Sequence, residues 1–156
     1  MFQKILVPLD GSDSAEAALV PAKEIAQRFG SEIVLIHVAP GYEAAVGATI
    51  AEPFGAAGSV GAAIEAEKAA EASAAEYLKA VLDEHGVTAW QTLVVEGDSG
   101  TAIADTVEST GADLVVMATH ARHGLKRFFL GSVSDDVIRR VRCPVLVVHR
   151  EDDAED

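Results

Sequence analysis

The residues best suited to chemistry in this sequence form an anion-binding pattern at Gly131 and Ser132. The pair stands where a helix is predicted to begin, and a glycine there lets backbone N–H groups approach an anion closely. The Ser132 hydroxyl can cap the helix or bind a ligand, and the helix dipole favours negative charge. An N-cap with no ligand is the alternative interpretation of the same pair.

Positive charge is concentrated around this pair. Six of the twelve Lys and Arg residues lie between positions 119 and 142. The dipole at the helix C-terminus accounts for three of them: Arg139, Arg140 and Arg142. The other cationic side chains precede the helix: His120, Arg122, His123, Lys126 and Arg127. This basic loop suits a polyphosphate, although a solvated surface has the same composition and His120 could equally be a structural histidine.

Patterns typical of catalysis are missing from the sequence. It pairs no nucleophile with a base in a recognisable motif, and it has no carboxylate cluster typical of a two-metal site. Neither G-x-G-x-x-G nor G-x-x-x-x-G-K-[ST] occurs. The stretch "DGSDS" is similar to the S-G-G-x-D-S loop of ATP pyrophosphatases, but it lacks the paired glycines and the opening serine. The sequence therefore predicts a binding protein, with an ATP-cleaving enzyme as a weaker alternative.

Five short apolar, β-branched runs predict the strands that must position these residues. They are "KILVPL", "EIVLIHV", "TLVVE", "DLVVMA" and "PVLVVH". Most of them do not alternate with polar residues, as expected for a parallel sheet that helices cover on both faces.

Four helices are predicted between and after these strands. The first has an apolar stripe from Ala15 to Phe29, ends at Gly30 and contains Pro21, which predicts a kink. The second spans about 62 to 85, the third about 101 to 109, and the fourth begins at Ser132 and stops before Cys143. These residues of the second helix are expected to face inward: Ile64, Ala70, Ala74, Tyr77, Leu78 and Val81 or Leu82.

This order of elements predicts one domain over residues 1–150, with an open, doubly wound, five-stranded parallel α/β sheet of Rossmann-like type. Residues 40–60 are rich in Gly, Ala and Pro and predict a mobile or functional loop, and 151–156 predict a disordered acidic tail. Ligands of such sheets bind at the carboxyl ends of strands beside the switch point, which directs attention to Pro8, Leu9 and Asp10 and to the stretch from Met117 to His120.

Composition limits the partners and the location. The formal net charge of −13 argues against nucleic acid and anionic membranes, because their phosphates would be repelled. Such an acidic chain with few lysines suits either a high-salt cytoplasm or simple solubility. No apolar run is long enough to cross a membrane and no leader is evident, so a cytoplasmic location is expected. Cys143 is the only cysteine, which leaves a buried structural thiol or, as the alternative, a reactive one.

At both ends the chain resembles the universal stress protein family. The resemblance rests on "KILVPLDGSDSAEAAL" and on "GADLVVMATHARHGLKRFFLGSVSDDVIRRVRCPVLVV", and it extends from residue 1 to about 149. It implies a five-stranded fold of the adenine nucleotide alpha hydrolase-like type, usually dimeric. Many members bind ATP through Gly, two residues, Gly, nine residues, then Gly with Ser or Thr; others bind no nucleotide and would act through protein partners.

Laid on this chain, the last Gly and hydroxyl residue of that motif fall on Gly131 and Ser132. Its first two glycines fall on Ala118 and Ala121. If those positions need a positive φ or a close approach by the ligand, each added methyl costs roughly 1 kcal/mol or more; otherwise alanine is harmless.

The resemblance implies an adenine-nucleotide site for ATP, AMP or ADP, with or without Mg²⁺. Asp10 would accept hydrogen bonds from the ribose hydroxyls, with an Asx-turn or helix cap as its alternative role. Pro8, Val38 and Met117 would line the adenine pocket, although they also suit an ordinary core. The implied binding residues are Pro8, Leu9, Asp10, Val38, Met117, Ala118, His120, Ala121, Arg122, Gly131, Ser132 and Val133. The last strand is apolar and ends the sheet, so it is expected to pair with a second copy in a homodimer.

Overall fold

Five parallel strands form one sheet in the computed structural model, which describes residues 1–41, 60–119 and 131–149. The strands are β1 (Lys4–Leu9), β2 (Glu32–Ala39), β3 (Gln91–Glu96), β4 (Leu114–Thr119) and β5 (Val145–His149). Their order is β3-β2-β1-β4-β5, and all four neighbouring pairs run parallel. The predicted strands and the doubly wound α/β class are thereby confirmed.

Helices cover both faces of this sheet. They are α1 (Asp13–Glu16), α2 (Leu19–Phe29), α3 (Val60–Glu84), α4 (Ser99–Thr110) and α5 (Ser132–Arg140). Gly30 ends α2 in the left-handed conformation at φ 69°, as its position in the sequence predicted. Residues 42–59 of the predicted loop and the predicted acidic tail lie outside the described residues, and Val60 is already the first residue of α3.

The first helical segment is divided, where the sequence predicted one helix kinked at Pro21. The division falls at Ala17 and Ala18, between α1 and α2. Pro21 is the third residue of α2, a position whose N–H has no acceptor within the helix, so the missing donor costs nothing there. The helix therefore restarts ahead of the proline instead of bending around it.

The long helix α3 buries one side of its second half. Ala74, Leu78 and Val81 are buried as predicted, whereas Ile64 is 40% exposed. The expectation that Ile64 faces inward is wrong, because buried side chains in the described part of α3 begin only at Ala74.

Two apolar clusters lie on opposite faces of the sheet, because side chains alternate along each strand. Helices α1, α2 and α3 pack on one face, called here the α3 face, over strand residues such as Val7, Leu9 and Val116. Helices α4 and α5 pack on the other, called here the α5 face, over residues such as Val34, Ile36 and Met117. The start of α5 therefore lies on the same face as Met117.

Candidate functional site

Strands β1 and β4 separate toward their carboxyl ends, where the direction of strand progression reverses, and the space between these ends is called here the crevice. The two strands pair only through Ile5 with Leu114 and Leu6 with Val115. Beyond these pairs they are no longer hydrogen-bonded to each other, whereas β1 stays paired with β2 as far as Leu9. Carboxyl ends of strands that separate at a switch point form the usual ligand crevice of such sheets. At the location predicted from the sequence the two strands thus separate.

Apolar residues predicted for the adenine pocket share one face at this crevice. Met117 is 4% exposed and lies in the α5-face cluster, and half-buried Val38 packs against the same cluster. Strand alternation places half-buried Pro8 on this face as well, two residues beyond Leu6. Pro8 also lies where β1 has lost its pairing with β4, a position at which a strand tolerates the missing N–H.

Leu9 and Ala118 have side chains on the opposite face. Leu9 is 3% exposed within the α3-face cluster, and Ala118 packs against the same cluster. Only their backbone groups can therefore reach a ligand on the α5 face. None of the described non-glycine residues has a positive φ, so the methyl group of Ala118 does not strain its own backbone.

Asp10 follows β1 and is exposed at the mouth of the crevice. Its Oδ1 atom accepts hydrogen bonds from the backbone N–H of Ser12 at 3.0 Å and from the Ser12 hydroxyl. Ser12 in turn caps α1, because its Oγ accepts from the N–H of Ala15 at 3.2 Å. The Asx-turn is therefore present, and both of its bonds use the same carboxylate oxygen.

Tyr77 of α3, which the sequence analysis assigned only to the core, supports the segment that follows β1. The Tyr77 hydroxyl donates to Glu16 Oε1 at 2.9 Å. Burial raises the pKa of Tyr77 far above its ordinary value, and the hydrogen bond and the charges of Glu16 and Asp10 raise it further. Tyr77 therefore remains a donor and ties α1, next to Asp10, to the long helix.

Gly131 is the N-cap of α5, and Ser132 is its first residue. The helix has no side-chain cap, and its first described hydrogen bond runs from the N–H of Asp135 to the carbonyl of Gly131 at 3.0 Å. The interpretation of Ser132 as a capping side chain is therefore wrong, because the helix begins one residue earlier than that role requires. Ser132 and Val133 are exposed, and the N–H groups of such first-turn residues have no acceptor within a helix.

Neither its conformation nor its packing against the described residues explains the glycine at position 131. Its φ is −56° and its ψ is 156°, values that any residue adopts. An added Cβ would lie 3.8 Å from Thr119 Oγ1, which is ordinary contact and its nearest approach among the described residues. The described part of the fold therefore leaves room for a side chain that the sequence omits.

The predicted residues His120, Ala121 and Arg122 lie outside the described residues, as do His123, Lys126 and Arg127. Beyond the first turn of α5, Arg139 and Arg140 contact Asp135 and Asp136 one turn earlier, at 2.9 and 2.8 Å. These two arginines thus belong to the surface of the helix end, as the sequence indicated.

Thr119 lies in the stretch from Met117 to His120 that the sequence indicated, but the sequence analysis gave it no role. It is the last residue of β4, is 3% exposed, and its Oγ1 accepts a hydrogen bond from the N–H of Gly131 at 3.3 Å. A polar residue at the end of an apolar strand was the available signal.

Cys143 is half-buried against the α5-face cluster. Burial raises the pKa of its thiol, which disfavours the reactive thiolate and favours the structural interpretation. Across the described ranges, no group of three or more His, Cys, Asp or Glu side chains is placed to hold a metal ion. No helix in these ranges is long and apolar enough to cross a membrane.

The sheet order and the separation of β1 from β4 at the switch point define a doubly wound α/β protein. The chain matches the universal stress protein family over residues 1–149. It is 35% identical over 150 residues to universal stress protein MJ0531 of Methanocaldococcus jannaschii, covering 96% of this chain and 84% of that protein. The chain belongs to the universal stress protein family.

Solved structures of related proteins share this fold. The structure of MJ0577, a universal stress protein of the same organism, superposes with a TM-score of 0.75 at 27% identity and covers 97% of this chain and 98% of that one. A universal stress protein solved in complex with cAMP superposes with a TM-score of 0.58 at 24% identity, covering 95% of this chain and 97% of that one. The similarity to the protein solved with cAMP shows a shared fold alone.

Proposed function

We propose that this universal stress protein binds an adenine nucleotide (ATP, AMP or ADP) in the crevice between β1 and β4, and acts in the stress response with little or no catalysis. The observation that carries this proposal is Gly131, a glycine that neither its φ nor any described neighbour requires and that stands, without a side-chain cap among the described residues, at the helix start beside the crevice. A ligand that must approach the backbone closely gives that glycine a reason.

Each part of the nucleotide has a matching group. The adenine would lie against Pro8, Val38 and Met117 on the α5 face, and the ribose would reach the second carboxylate oxygen of Asp10. The phosphates would meet the first turn of α5 at Ser132 and Val133, where the dipole favours negative charge. Mg²⁺, where present, would enter with the phosphates.

The cAMP complex supports this ligand class, because that protein has the same fold and its ligand is an adenine nucleotide. The family motif departs from its pattern at Ala118 and Ala121. At Ala118 the departure is mild, because the side chain lies on the α3 face and the backbone is extended.

Loss of the Asp10 carboxylate is expected to weaken ATP binding by roughly 10- to 150-fold, since a hydrogen bond to a charged group contributes about 1.5–3 kcal/mol. Calorimetric titration of Asp10→Ala measures the loss. Asp10→Asn separates the two roles of this residue, because its amide oxygen keeps the Asx-turn while its NH₂ group cannot accept from the ribose. The matched control is Asp13→Ala, which removes another exposed charge three residues away.

An Asp10→Asn variant that binds ATP as tightly as the wild type would place Asp10 in the turn alone. A wild type that binds no adenine nucleotide would overturn the proposed function. The alternative would then hold: a module of this fold without nucleotide that acts through protein partners.

We also propose that the protein is a homodimer joined through β5. This strand forms one edge of the sheet, and its central residues are all apolar. Exposed apolar side chains lie on it and on the preceding helix, namely Leu146 at 38% and Ile138 at 40% exposure. An open apolar edge favours pairing with another strand. A second copy of β5 would pair with it across a two-fold axis. Light scattering at micromolar concentration is expected to show a dimer, and a monomeric mass would refute the pairing.

A further inference from the structure

Thr119 connects the end of β4 to the start of α5 across twelve positions of sequence. Strand alternation places its side chain on the α5 face with Met117, and it is 3% exposed. Its Oγ1 atom accepts the N–H of Gly131 at 3.3 Å. Among the described residues, the same oxygen is also the nearest atom to the space that a Gly131 side chain would occupy.

This hydrogen bond changes which groups are available to an anion. The Gly131 N–H already has a protein acceptor, so it is not a free donor at the helix start. The next N–H groups that could donate to an anion are those of Ser132 and Val133. The direction in which they point depends on the position of Gly131. A buried hydroxyl at the end of a central strand is a rigid point from which to hold it, because β4 is paired with β5 up to Thr119 itself.

We infer that Thr119 is a positioning residue: its hydroxyl fixes Gly131, and through it the phosphate-binding turn of α5, without itself contacting the nucleotide. This inference rests on the proposed function, because it assigns the first turn of α5 to the phosphates. It predicts that loss of the hydroxyl weakens the phosphate end of the ligand and leaves the adenosine end unchanged.

The test compares ATP with adenosine as calorimetric ligands of Thr119→Val, Thr119→Ser and the wild type. Thr119→Val keeps the branched shape and removes the acceptor. Its affinity for ATP should fall about three- to tenfold, the equivalent of one net hydrogen bond, while its affinity for adenosine should not change. Thr119→Ser restores the hydroxyl and should restore ATP affinity, and it serves as the measurable variant if the valine protein does not fold.

Thr106→Val is the matched control. Thr106 is also a buried threonine on the α5 side, at 5% exposure, but its hydroxyl bonds to the carbonyl of Ala102 within α4 at 2.7 Å. Loss of this hydroxyl should leave the affinity for ATP unchanged. The backbone amide resonance of Gly131 gives an independent readout, since it should shift in Thr119→Val and not in Thr106→Val.

Three outcomes would overturn the inference. Thr119→Val with wild-type ATP affinity, or a Gly131 amide that does not respond to it, would show that the hydroxyl positions nothing. An equal loss of ATP and adenosine would indicate a general effect on the crevice. A wild type that binds adenosine and ATP equally, or neither, contradicts the proposed phosphate site itself, and with it the role of Thr119.

Discussion

Gly131→Ala is expected to lower the affinity for ATP by about 5- to 150-fold while the free energy of unfolding stays close to that of the wild type. The backbone at Gly131 has φ −56°, and a Cβ there would meet only Thr119 Oγ1 at 3.8 Å among the described residues. The described part of the fold therefore accepts alanine. A phosphate seated on the first turn of α5 would not, since one extra methyl in a close contact costs about 1–3 kcal/mol.

Calorimetric titration and chemical denaturation of the same variant test this prediction together. Gly41→Ala is the control: Gly41 also lacks a positive φ, and an added Cβ would approach Gly97 no closer than 3.6 Å. Gly41 follows β2 and borders the β3 side of the sheet, away from the gap between β1 and β4. Wild-type ATP affinity in Gly131→Ala would remove the observation on which the nucleotide site rests.

Gly100→Ala is expected to destabilise the protein by about 1–3 kcal/mol, although alanine is the better helix former. Gly100 is buried in the first turn of α4, against α5. A Cβ there would lie 2.8 Å from Cγ and 2.9 Å from Cβ of Asp136, distances at which one helix must move. The Asp136 side chain cannot simply rotate away, because its Cβ is part of the clash and its carboxylate is paired with Arg140 at 2.8 Å.

Denaturant unfolding of Gly100→Ala measures the loss directly. The matched test repeats the substitution in an Asp136→Gly background, where the obstructing side chain is gone. Gly100→Ala should then cost much less, and the difference between the two backgrounds is the coupling energy between the helices. An equal cost in both backgrounds would mean that Asp136 is not the obstacle. The contact bears on function because α4 is a neighbour against which α5 is positioned.

The positions of the strands and helices were largely determined by the sequence. Short apolar runs and turn residues are local signals, so β1 to β5 were found with their ends displaced by no more than one residue. The end of α2 at Gly30 was visible for the same reason, since a left-handed residue favours glycine wherever the helix packs. The alternation of strands and helices also predicted the fold class and the end of the sheet where a ligand would bind.

Tertiary structure decided what depends on residues far apart in the chain. Three features join separate elements and produce no recognisable pattern in the sequence of either one. They are the two-pair ladder between β1 and β4, the hydrogen bond from Gly131 to Thr119 and the close contact of Gly100 with Asp136. The exposure of Ile64 depends likewise on where the sheet lies beneath α3, and its apolar character alone could not reveal it. Local patterns determine which segments become strands and helices, whereas the fit between elements determines which backbone groups remain available to a ligand.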